Sequence, residues 1–139
     1  MLTLPLESLL IVSLIGAVIL AYFPFMWVGY ARFRLGYDSH APRAMFDRLP
    51  PYAQRATWAH QNGFEALLIY AIAALSAYVV GVESPWAVGA VLAFLTARLL
   101  YSLCYIFDQP ILRSLMYATG FSSTLVLLGL SVQQALASA

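Results

Sequence analysis

Lysine is absent, so all seven basic residues are arginines, and charged residues of both signs make up only 9% of the chain. A formal net charge of +1 leaves no basic surface for nucleic acid. Cysteine occurs once, as Cys104 inside an apolar run, which excludes an intramolecular disulfide and reads as a buried thiol. Only two histidines are present, His40 and His60, and neither has a second ligand at helical spacing, so no metal site is expected. His60 reads as a surface or supporting histidine rather than a base. A hydrolase elbow, a phosphate-binding loop, internal repeats and low-complexity segments are all missing. The N-terminus also lacks the basic stretch of a signal peptide, so the first apolar run is expected to remain as a helix.

Apolar residues are what the chain has in quantity: 63% of the total, with a mean hydropathy of +0.82. That composition belongs to an all-α integral membrane protein. The expected organisation is a single domain, 1–139, with four transmembrane helices at about 4–31, 50–82, 85–107 and 110–136. The first contains Pro24 and is expected to bend there; the fourth opens with Pro110, suited to a first helical turn. Two joints are tight turns. The third, about 32–49, is long, mixes Gly36, Asp38 and Pro42 with four arginines, and is expected to be ordered over the membrane surface. With four spans, Arg32, Arg34, Arg43, Arg48, Arg55 and Arg113 fall on one side, which the positive-inside rule makes cytoplasmic. Both termini then face outward.

Against this background the stretch RATWAHQNGFEALLIY, 55–70, is conspicuous. Arg55, Trp58, Asn62 and Glu65 are spaced 3, 4 and 3 and share one helix face; Arg98, Tyr101, Tyr105 and Asp108 repeat that spacing on the third helix. At about 1.5 Å per residue, Glu65 lies roughly 12 Å from the boundary near Thr57 and Arg98 about 15 Å from Asp108. Their depths match. An isolated charge there costs on the order of 3 kcal/mol, so an ion pair between Glu65 and Arg98 is expected, with Asn62 adding hydrogen bonds. Spacing alone leaves structural glue and a ligand site both open. Arg113, at the start of the fourth helix near the tyrosines, with Arg32 and Arg34 at the same level, favours a site for a small polyanion that also carries an amine. Arg43 and Arg48 read more simply as topogenic residues touching lipid phosphates.

The sequences AHQNGFE (59–65) and ARLLYSLCYIFDQPILRSLMY (97–117), with R-x-x-Y-x-x-x-Y followed by P-x-x-R-S-x-x-Y, resemble the MAPEG family of membrane-associated proteins in eicosanoid and glutathione metabolism. Tyr37, Asp38, Pro42 and Arg43 in the long loop resemble its bacterial branch, which implies a bacterial inner membrane with periplasmic termini. The resemblance implies a left-handed four-helix bundle assembled as a homotrimer, with glutathione held between subunits near the cytoplasmic side. By that likeness Asn62 and Glu65 would hold the peptide, Arg98 would pair with Glu65, Tyr101 and Tyr105 would line the cleft, and Arg113 would stabilise the thiolate. Arg34, or Arg32, would reach a carboxylate from the adjoining subunit; Arg55, Gln61, Ser114 and Tyr117 complete the expected contacts. A lipophilic co-substrate would enter from the bilayer.

The pattern departs from the family at Trp58 and Gln61, where eicosanoid-forming or other members carry basic residues, at Leu68 in place of a proline, and at Tyr101 in place of one branch's histidine. The leading expectation is a glutathione-dependent transferase or peroxidase. A non-catalytic trimer binding lipid or a partner in the same cleft is the alternative, and an enzyme using another thiol a third.

Overall fold

In the computed structural model, which describes residues 5–138, the chain forms α1 (Leu6–Arg34), α2 (Pro51–Val79), α3 (Pro85–Ile106) and α4 (Pro110–Ala137), with a short 3-10 segment, Pro42–Arg48, between α1 and α2. All four long helices are apolar enough to cross a membrane, as expected. The expected start of the first helix at residue 4 and the outer limits of the 1–139 domain lie outside the described residues.

Local chemistry explains the ends. Pro51, Pro85 and Pro110 each occupy a first helical turn, where a missing N–H leaves nothing unsatisfied. Ser84 caps α3 by accepting from the Trp86 N–H at 3.3 Å. At the other end of α2, Gly81 takes φ +67° and the Val82 N–H reaches back to the Ala77 carbonyl at 3.0 Å, so the helix stops at Val79 rather than running to 82. α1 continues through Pro24 to Arg34, which puts Arg32 and Arg34 on its last turn instead of in the loop. Cations there complement the helix dipole.

α1 packs on α2 and α3, and α4 packs on α3 and α2. Small residues allow the close approach that membrane helices use in place of a hydrophobic drive. Ala53, Ala56, Ala59, Ala73, Ala74 and Ala77 of α2 are all fully buried. At Gly63 a Cβ would lie 3.1 Å from the Ala21 Cα and 3.3 Å from its carbonyl oxygen, so α1 and α2 touch backbone to backbone. Deeper in the bundle, Tyr70 stacks on Phe94 with 3.7 Å between ring centroids and an interplanar angle of 5°. Its hydroxyl donates to Ser13 Oγ at 2.6 Å, and Ser13 donates to the Leu10 carbonyl at 2.7 Å, leaving no polar atom of that cluster bare.

The segment between α1 and α2 has its own hydrogen bonds. Asp38 Oδ1 accepts from the His40 and Ala41 amides at 2.9 and 3.2 Å. Gln54 on α2 donates to the Phe46 and Leu49 carbonyls, while Met45 and Leu49 are buried against the bundle.

Because the α1–α2 contact is between backbones, Gly63→Leu cannot be absorbed by a side-chain rotation. It should destabilise the detergent-solubilised protein by about 1–3 kcal/mol or more, read as a lower unfolding midpoint. Gly129→Ala, where a Cβ meets nothing within 4 Å, should not lower it.

Candidate functional site

The polar residues of α2 and α3 meet as the matched depths require, but through an intermediary. Arg98, only 5% exposed, donates from Nη2 to Asn62 Oδ1 at 3.0 Å. Asn62 then donates from Nδ2 to Glu65 Oε2 at 3.2 Å. No direct Arg98–Glu65 bridge forms among the described residues, so the expected ion pair is corrected to a relay. The amide suits this place because it offers an acceptor to the cation and a donor to the carboxylate. The guanidinium also lies over the Tyr101 ring, 4.2 Å from its centroid. Room for it comes from α4: a Cβ at Gly120 would already touch Arg98 Cδ at 3.5 Å.

Toward the loop side of this relay, Arg113 lies with its Cζ 4.6 Å from the centroid of the Tyr105 ring. Tyr101 meets Tyr105 edge to face at 5.6 Å and Tyr117 at 6.4 Å. Asn62, Tyr101, Tyr105, Arg113, Ser114 and Tyr117 together line an open cleft of about 360 Å³. A smaller cavity of about 80 Å³ joins it at Asn62 and Tyr117, bordered by Glu65, Arg98, Gly120 and Thr124. Ser114 donates its hydroxyl back to the Pro110 carbonyl at 3.0 Å, which leaves its oxygen able to accept. The Arg113 guanidinium donates to no acceptor among the described residues, so its side-chain N–H groups are available to a ligand.

Three expected residues are not brought to this cleft. Gln61 is next to Asn62 but about 100° around the helix. It lines a different cleft, of about 790 Å³, with Phe25, Arg32, Tyr37, Arg43 and His60. Arg34 is exposed on the last turn of α1 and lines neither cleft. Arg55 turns to the end of α3, where Nε and Nη2 donate to the Ile106 carbonyl at 3.1 and 3.0 Å. It lies on the expected face, but α3 ends at that height and its unpaired carbonyl takes the guanidinium.

His60 is a supporting histidine, in line with the sequence reading: its Nδ1 lies 2.7 Å from the Ala21 carbonyl. Since a carbonyl only accepts, Nδ1 carries the proton, and the ring is held among Tyr22, Phe25 and Phe64. Sequence reading missed which carbonyl it serves, since the missing N–H of Pro24 leaves the Leu20 carbonyl without a helical donor and not that of Ala21. It also missed the cleft at Arg32 and Arg43, because those arginines are far apart in sequence from His60 and Gln61.

The relay makes a measurable distinction. In double-mutant cycles with alanine, coupling between Arg98 and Asn62 should be about 1–2 kcal/mol and exceed that between Arg98 and Glu65. A larger Arg98–Glu65 term would instead indicate direct pairing.

The sequence model of the MAPEG family matches residues 9–133, spanning all four helices and the whole cleft. No curated protein and no solved structure matches the chain. The match covers Asn62, Glu65, Arg98, Tyr101, Tyr105 and Arg113 in one frame, and the chain belongs to the MAPEG family.

Proposed function

We propose that the protein is a glutathione-dependent membrane transferase or peroxidase, working as a homotrimer on lipophilic electrophiles or hydroperoxides. The observation that carries this reading is Arg113, a cation stacked on Tyr105 with its N–H groups directed to no protein acceptor among the described residues. Stacking restrains the guanidinium while leaving its edge free to donate. A thiol beside such a group in a partly dry cleft loses its proton more readily. Bound there, glutathione would supply a thiolate, the nucleophile shared by conjugation and by hydroperoxide reduction. Asn62 and Glu65 hold the peptide part, the tyrosines and Tyr117 wall the cleft, and Ser114 accepts from the ligand.

One feature supports assembly with other copies. Glu65 is exposed on the single chain at bilayer depth, where a carboxylate facing lipid is costly. Glutathione carries two carboxylates, and the cleft of one chain offers one free guanidinium, Arg113. The residues fit the ligand when the flank bearing Arg32, Arg34 and Gln61 comes from a neighbouring copy and closes the cleft. Entry from the bilayer suits a lipophilic co-substrate, since α4 presents Ile111, Leu115 and Phe121 outward.

Adding glutathione to the purified trimer at neutral pH should produce the ultraviolet absorbance of a thiolate and release protons. As pH falls below the lowered pKa of the bound thiol, that absorbance should disappear. Arg113→Leu should cut it by about tenfold or more while the trimer persists, and Asn62→Ala should weaken binding instead. Binding without a thiolate signal, or no binding, overturns the reading.

The arginine-rich side is assigned to the cytoplasm and both termini to the periplasm of a bacterial inner membrane. In a Cys104→Ser background, a cysteine at Ser39 should resist impermeant maleimide in intact cells while one at Ser138 reacts. The opposite labelling inverts the topology.

A further inference from the structure

The last carbonyls of α3 are all accounted for. Phe107 N–H bonds to the Leu103 carbonyl at 2.9 Å, Gln109 N–H to Cys104 at 2.8 Å and Asp108 N–H to Tyr105 at 3.3 Å. The fourth, Ile106, is taken by the Arg55 guanidinium from α2. This C-terminal arrangement needs a residue in the left-handed region, usually glycine. Here it is Asp108, at φ +59°, the only described non-glycine residue with positive φ. Its carboxylate, 73% exposed, lies 3.9 Å from Arg55 Nη1, so the guanidinium holds the free carbonyl by hydrogen bonds and attracts the left-handed residue by charge across a longer gap.

What this turn holds is the cation of the proposed site. Tyr105 immediately precedes Ile106, Pro110 opens α4 two residues after Asp108, and the Arg113 N–H bonds to the Gln109 carbonyl at 2.9 Å. The height of Arg113 over the Tyr105 ring therefore depends on the turn keeping its shape. Arg55 itself faces a separate groove with Trp27, Tyr30 and Tyr52, away from Asn62 and Arg113.

We infer that Arg55 is a positioning residue: through the Ile106 carbonyl and the Asp108 carboxylate it locks the α3–α4 turn and so sets Arg113 over Tyr105. The inference rests on the role proposed above for Arg113. A lost clamp leaves Asp108 free to leave the left-handed region, and α4 then starts at a different height.

The test compares Arg55→Met, Asp108→Gly, the double variant and Arg55→Lys in the full-length trimer with glutathione. Arg55→Met should lower the thiolate absorbance at saturating glutathione by about tenfold, as a displaced reacting group does, while affinity changes less than about threefold. Its loss in turnover should fall on kcat rather than KM, and amide exchange across 107–113 should quicken. Asp108→Gly, which accepts positive φ without strain, should restore part of the signal in the double variant. Arg55→Lys should fall between; should Arg55→Met fail to assemble, the lysine variant carries the same readouts. Weakened affinity with an unchanged thiolate fraction would make Arg55 a ligand contact and overturn the inference. So would an unchanged Arg55→Met signal, or a double variant no better than Arg55→Met. A missing thiolate in the unmodified trimer overturns the proposed function itself, and the inference with it.

Discussion

A guanidinium keeps its charge in any protein environment, so the bundle has to be built around Arg98. The side chain is 5% exposed within a helix that spans the membrane, and every neighbour accommodates it. Asn62 supplies an acceptor, Tyr101 a ring face, and Gly120 the space. These come from α2, α3 and α4 respectively, so satisfying one cation fixes three helices relative to one another. The open cleft is bounded by those same three helices. Its shape is thus a consequence of how the buried charge is solvated by protein.

The opposite flank follows the same bilayer rule with neutral groups. A carbonyl or hydroxyl left bare in hydrocarbon is expensive, so partners come from neighbouring helices. His60 serves the Ala21 carbonyl beside the Gly63 contact, and Ser13 serves Tyr70. Both contacts tie α1 to α2, one on the loop side of the midplane and one deeper. With α1 held at two depths, Arg32 and His60 are brought to one cleft despite their separation in sequence.

How much of this could be read from sequence depends on range. Four helices follow from apolar length, and Asn62 and Arg98 meet because helical rise converts sequence position into depth. Eight of the expected site residues gather for that reason: Asn62, Glu65, Arg98, Tyr101, Tyr105, Arg113, Ser114 and Tyr117. Geometry within ångströms was not legible. Whether Arg98 reaches Glu65 or stops at Asn62 depends on rotamers and helix separation, and the 3, 4, 3 spacing is the same either way. Arg55 lies away from the cleft for a different reason: a face argument says where a side chain points but not which backbone ends there. The end of α3 leaves a carbonyl without an intrahelical donor, and that local need decided its partner. Gln61 came from the family likeness, and it lines the separate cleft because consecutive residues on a helix face different neighbours.

Two arginines stacked on two tyrosines show how one chemical device gives different outcomes at different depths. Arg98 lies 4.2 Å from the Tyr101 centroid and Arg113 4.6 Å from that of Tyr105, so both cations rest on rings of the same α3 face. The deeper one is enclosed and directs an N–H to Asn62, which makes it part of the scaffold. Nearer the loop, Arg113 is partly exposed at the start of α4, and its ring support orients it without using its donors. Trp58 lies behind Tyr105, 43% exposed and packed between that ring and Phe46. An indole there backs the ring that lines the cleft and brings only a single neutral donor. The cation of this cleft is therefore Arg113 alone, since Arg32 and Arg43 line the separate cleft at His60 and Gln61.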